Sequence, residues 1–185
     1  MTPSSRRMRF VAGLLGLLLA TAGLPACDSD DRGNLRFEVR VTTTGASLQG
    51  RIAFFSTRGD SAFTVELPAS GREGVLLARS AGGPPEAGRS YRFARPDERA
   101  LPSDGRFAAA LRISFGGDVP TIYYARPGGE LALTERTEER VSGNFEFRAR
   151  RVAPGGAPDA PLSVRVIGNF SAEPGSTDNF PFFGS

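Results

Sequence analysis

Val141-Ser142-Gly143-Asn144-Phe145-Glu146-Phe147-Arg148-Ala149-Arg150 is the stretch on which the fold turns. Val141, Gly143, Phe145, Phe147 and Ala149 alternate with Ser142, Asn144, Glu146, Arg148 and Arg150. A period of two sends one set of side chains to a core and the other to water, which is the pattern of a half-buried strand. The same alternation runs through Leu35, Phe37, Val39 and Val41, through Phe107, Ala109, Leu111, Ile113 and Phe115, and through Leu162, Val164, Val166, Gly168 and Phe170. Weaker strand signals cover 49–56, 62–67, 74–79, 89–94, 121–125 and 130–134. Together they predict about ten short strands.

Turn formers separate these segments: Arg58-Gly59-Asp60, Ala69-Ser70-Gly71, Gly82-Gly83-Pro84-Pro85, Pro102-Ser103-Asp104-Gly105, Gly116-Gly117-Asp118, Pro127-Gly128-Gly129 and Pro154-Gly155-Gly156. No amphipathic run is long enough for a helix, so helical crossovers between parallel strands are not expected. The expected fold is therefore all-β, an antiparallel β-sandwich or open barrel with one wet face per sheet.

The first 26 residues read differently. Arg6, Arg7 and Arg9 precede an apolar stretch from Phe10 to Ala22, and small Ala26 stands beside the expected cut. The stretch falls short of the roughly 20 apolar residues that cross a bilayer, and it runs into Gly23 and Pro25, so it reads as a secretory signal. Leu24-Pro25-Ala26-Cys27 ends it with the only cysteine in the chain. This run resembles the lipobox of bacterial lipoproteins, and the resemblance implies that the Cys27 thiol is acylated and becomes the first residue after cleavage. The partner so implied is membrane lipid, and the location a bacterial cell envelope, inner or outer membrane left open. The expected organisation is a signal peptide over 1–26, a lipidated cysteine with a polar linker over 27–33, one β-domain over 34–172 and a tail over 173–185.

Removing the leader changes the charge. The chain has 23 arginines and 20 acids; three arginines and no acid lie in the leader, which leaves 20 against 20. A neutral chain lacks the basic footprint of a nucleic-acid binder. Histidine, lysine and tryptophan are absent. Without histidine or lysine there is no Ser-His-Asp, Cys-His or Ser-Lys arrangement, no Schiff base and no histidine metal ligand. No cofactor or metal is expected. Asp28, Asp30 and Asp31 lack the glycine and distal glutamate of a calcium loop and read as linker.

Val141-Ser142-Gly143-Asn144-Phe145 and Val166-Ile167-Gly168-Asn169-Phe170 share four residues at one spacing. A glycine inside a strand makes room for a bulge, a bend or a large neighbouring ring. A tyrosine strand (Ile122-Tyr123-Tyr124), a Gly-x-Leu-x-Leu-Thr strand (129–134), the Gly-x-Phe-x-Phe strand (143–147) and a valine-rich strand ending Gly-x-Phe (168–170) follow in order. This succession, over about residues 105–171, resembles a group of small uncharacterised bacterial envelope proteins, often lipoproteins. The resemblance implies a β-rich fold and no established chemistry.

Three functions compete. The first is a non-enzymatic envelope lipoprotein that binds a protein or glycan partner or plays a structural part. The second is a carbohydrate-binding module using Tyr91, Tyr123 and Tyr124, although neighbours on one strand face opposite ways, so at most one of the last two faces a ligand. The third is a hydrolase that uses only carboxylates, with Asp97, Glu98, Glu135, Glu138 and Glu139 as candidates. The expected answer is the non-enzymatic one. Arg58-Gly59-Asp60 and Asn169-Phe170-Ser171 match adhesion and glycosylation patterns too short to carry weight. Phe180, Phe182 and Phe183 near the C-terminus are costly to leave in water; they either pack back on the domain or dock on a partner.

Overall fold

The computed structural model describes residues 35–59, 62–96, 101–116, 119–152 and 159–177. The alternating segments become eleven strands: β1 (Phe37–Val41), β2 (Ala46–Gly50), β3 (Phe54–Arg58), β4 (Ala62–Pro68), β5 (Gly74–Arg79), β6 (Ser90–Arg92), β7 (Ala108–Ile113), β8 (Thr121–Ala125), β9 (Glu130–Arg136), β10 (Val141–Arg151) and β11 (Ser163–Pro174). No helix occurs among the described residues. The fold is all-β.

The pairing is continuous, in the order β2-β1-β11-β3-β4-β5-β7-β8-β10-β9-β6, and β11 also pairs with β10. That extra ladder closes a ring of seven strands. It also splits the molecule into two layers: β2-β1-β11-β10-β9-β6 form one, β3-β4-β5-β7-β8 the other. Arg151 of β10 pairs with Tyr123 of β8, and Glu173 of β11 pairs with Phe54 of β3. Because β10 and β11 are antiparallel over 141–150, these two corners lie at opposite ends of the hairpin. The longest strands thus serve the first layer with their middles and the second with their ends, as in orthogonally packed sheets whose corner strands bend from one to the other.

The β11–β3 corner is parallel, a departure from antiparallel pairing with a simple cause. The sequence reads 49–56 as one strand, but the chain breaks over 51–53 and passes from layer to layer there without reversing. A side chain at Gly50 would collide with the Phe37 ring, so the edge of the first layer closes down at that point. β3 keeps the direction of β2 and meets β11 running the same way.

Between the layers lies a core of aromatic and aliphatic side chains, with Phe37, Phe63, Phe93, Phe107, Tyr123 and Phe147 among the largest. Each buried large side chain contributes about 1.5–3 kcal/mol. Phe93 meets Phe147 edge-on with ring centres 5.2 Å apart, and Tyr91 meets Phe107 at 5.4 Å. The expectation of one wet face per sheet fails in the second layer. All six residues of β5 are buried, because outward Leu76 and Ala78 join Ala110 in a second apolar cluster on the outside.

Candidate functional site

The two Val-x-Gly-Asn-Phe copies lie side by side in β10 and β11. Gly143 pairs with Phe170, Phe145 with Gly168, and Asn144 with Asn169. Each glycine serves the ring of the other copy: a Cβ at Gly168 would stand 2.5 Å from Phe145 Cζ, and one at Gly143 would stand 3.2 Å from Phe170 Cζ. The ladder to β9 also shifts between Ser142 and Gly143, so Gly143 sits at a bulge as well. Packing explains the glycines and the phenylalanines. It does not explain the asparagines, which face outward.

Asparagine is a poor strand residue, yet Asn144 and Asn169 occupy the middle of the two central strands of the six-stranded layer. Both are exposed, and neither side-chain amide has a hydrogen bond among the described residues. Register extends their row to Glu38 on one side and Ala132 on the other. The next row carries Arg40, Ile167, Glu146 and Glu130. These two rows line a shallow open groove of about 450 Å³. A second hollow of about 690 Å³ shares Glu38, Arg40 and Asn169 and continues it toward β2.

Two of the three carboxylates that line the groove are paired, one of them with an arginine outside the lining. Arg40 holds Glu38 at 2.6 Å, and Arg165 holds Glu146 at 2.8 Å. These exposed pairs are worth little to stability, about 0.2–1 kcal/mol each. Around the two amides the lining carries three carboxylates, Glu38, Glu130 and Glu146, and one guanidinium, Arg40.

The residues proposed from sequence do not assemble into one site. Tyr123 is 0% exposed and points into the core, where its hydroxyl donates to the Pro161 carbonyl at 2.9 Å. Burial raises its pKa, partly offset by the Arg151 charge. It therefore cannot meet an external ligand. Tyr124 faces the other way, as strand geometry requires, and packs with the outer cluster of the second layer. Tyr91 is half-buried, packed on Phe107, and its hydroxyl accepts a hydrogen bond from the Glu86 amide at 2.7 Å. No shared aromatic platform results. Of the carboxylates, Glu135 accepts a bond from Ser142 Oγ at 3.0 Å. Glu138 and Glu139 are exposed in a turn where Thr137 Oγ1 accepts from the amides of Glu139 and Arg140. Asp97, Glu98, Asp60, Cys27 and the 27–33 linker lie outside the described residues.

Arg79 was not singled out by its sequence, and it is 2% exposed. Its guanidinium lies 5.2 Å from the Tyr91 ring centre and 5.5 Å from that of Phe107, and Nη2 donates to the Gly83 carbonyl at 2.5 Å. Burial lowers its pKa, while Tyr91 acts in the opposite direction. A Cβ at Gly82 would stand 2.7 Å from Arg79 Nη2, so that glycine, with φ at 94°, lets the loop close over the cation. The sequence signal was Gly82-Gly83 three residues after an arginine that ends a strand.

No family model, curated protein or solved structure matches the chain. Among the described residues there is no group of three or more side chains able to hold a metal, and no helix long and apolar enough to cross a membrane.

Proposed function

We propose that this protein is a lipid-anchored, non-enzymatic envelope module that binds a glycan on the outer face of its six-stranded layer. The Leu24-Pro25-Ala26-Cys27 run supports the anchor: two or three acyl chains give a lasting tether where one gives only marginal binding. Filling of the space between the layers by side chains directs any ligand to the outside.

The observation that carries the ligand face is the Asn144–Asn169 pair. Two amides that work against strand propensity, repeated in sequence and brought side by side by register, break a local rule that the packing of the fold does not require, as residues of a binding face do. Each amide has donors and an acceptor that match vicinal sugar hydroxyls. Ile167 and Ala132 supply apolar surface beside them for the C–H face of a sugar ring. Pairing of Glu38 and Glu146 with arginines leaves the two amides as the groups most open to a neutral polyhydroxylated ligand.

The test uses the mature chain passed over immobilised envelope polysaccharides. The wild type is retained, and Asn144→Ala with Asn169→Ala weakens binding about tenfold to a hundredfold, the value of one or two lost hydrogen bonds. A wild type that passes through unretained, or a double variant that binds as well, rejects the glycan face. The anchor is tested separately: Cys27→Ser should move the protein out of the membrane fraction and abolish labelling by palmitate.

A further inference from the structure

Arg148 and Arg150 stand on the outward side of β10, two residues and about 7 Å apart along the strand. Register sets β8 and its continuation beside them. Arg150 pairs with Tyr124, and the Arg126 amide donates to the Arg148 carbonyl at 2.8 Å, which places Arg126 across from Arg148. Side chains directly opposite on one face stand about 5 Å apart at Cβ. Three guanidinium groups and one phenol ring thus share a block two strands wide and two positions long, and all three arginines are exposed.

Like charges directly opposite one another work against a sheet. Other arginines of these strands are neutralised in place: Arg36 holds Glu173, Arg40 holds Glu38 and Arg165 holds Glu146. Among the described residues, no carboxylate and no other acceptor meets the side chain of Arg126, Arg148 or Arg150. Glu146 is the one acid of β10, and Arg165 has taken it. Three uncompensated positive charges are therefore gathered at one spot, in a chain that has 20 arginines and 20 acids beyond residue 26.

We infer that this block binds a phosphomonoester carried on a glycan. The planar fork of a guanidinium matches phosphate oxygens two at a time. A phosphomonoester brings a charge of about −1.5 to −2, which meets three guanidinium groups more fully than the single charge of a carboxylate. Tyr124 is partly buried against the outer cluster of Leu76, Ala78 and Ala110, and its ring beside Arg150 offers an apolar surface to the sugar that carries the phosphate. Phe180, Phe182 and Phe183, the aromatic side chains of the tail, lie outside the described residues. Asn144 is on the same side of β10, four residues or about 13 Å from Arg148, so a chain of sugars can run from the amides to the arginines. The sugar part of this inference rests on the glycan reading of that layer; the phosphate part rests on the arginines alone.

The test uses the full mature chain carrying Cys27→Ser, passed over an immobilised phosphomannan and over the same polymer stripped of phosphate by a phosphatase. The phosphorylated polymer should retain the chain at least about tenfold more strongly, and Arg148→Gln with Arg150→Gln should abolish that difference, the value of lost charge-assisted hydrogen bonds. Arg72→Gln with Arg140→Gln removes the same charge from exposed turns and should leave the difference in place. Equal retention by both polymers overturns the phosphate site and leaves the glycan face standing. Phosphate-dependent retention with none on the stripped polymer supports the site and counts against the glycan face. An equal loss from the Arg72 and Arg140 pair reduces the effect to net charge and overturns the site. Binding to vesicles of phosphatidylglycerol in phosphatidylcholine, with no retention by the phosphomannan, makes the ligand a lipid headgroup and overturns the glycan phosphate.

Discussion

Gly168 and Gly143 occupy equivalent places in the two sequence copies but are constrained by different neighbours. At Gly168 the obstacle is the tip of the Phe145 ring, whereas at Gly143 the nearest atom is the Ala132 carbonyl oxygen, 2.6 Å from where an added methyl carbon would stand. Adding a methyl group to a filled core costs about 1–3 kcal/mol. Gly168→Ala and Gly143→Ala should both lower the urea midpoint. Adding Phe145→Leu should recover much of the loss for Gly168→Ala and none for Gly143→Ala, since a side chain can be shortened and a backbone carbonyl cannot. Sequence indicated that these glycines make room; only the register named the rings. Tyr123 gives a second expectation. Its folded pKa is raised by burial, so its contribution is complete below the unfolded value of about 10 and is lost as pH rises toward the folded one. Denaturation followed between about pH 9 and 11 should show stability falling on the alkaline side, and Tyr123→Phe should flatten that fall while costing about 1 kcal/mol at neutral pH for the lost hydrogen bond to Pro161.

At the level of elements, the decisive feature is that β11 outruns β10. Val141 of β10 is already opposite Ala172, and the last residues of β11 pair with β3 instead. The expected domain end at 172 therefore falls short of the strand, which continues to Pro174, and of Thr177, which satisfies a Glu66 carboxylate only 8% exposed. A chain ending at Ala172 should be less stable by at least about 3 kcal/mol than one ending at Thr177, because it loses the seam and leaves that carboxylate without its donors. Thermal denaturation of the two truncations measures the difference. Strands with strict alternation, such as β10 and β11, were legible because one of their faces is wet. β5 was legible as a strand but not as a doubly covered one: Gly74-Val75-Leu76-Leu77-Ala78-Arg79 lacks alternation, and what lies over its outer face comes from elsewhere in the chain.

For the whole molecule, period-two patterning, glycine and proline turns and the lack of helical periodicity were enough to determine an all-β chain with about ten strands. The same sequence determined the equal numbers of arginines and acids beyond residue 26 and the chemistries closed to the chain by the absence of histidine and lysine. These are properties of residue type and local spacing, which need no knowledge of distant neighbours. Closure of the ring, the parallel corner, the split of 49–56 and the adjacency of Asn144 and Asn169 were decided by tertiary structure alone. Alternation states which face of a strand is apolar, but pairing partner and register are set by contacts between residues far apart in the chain, as when Phe37 meets Phe170. The candidate face was hidden for that reason: β9, β10 and β11 follow one another in the chain, but their register and the addition of β1 from its other end put these residues in one row.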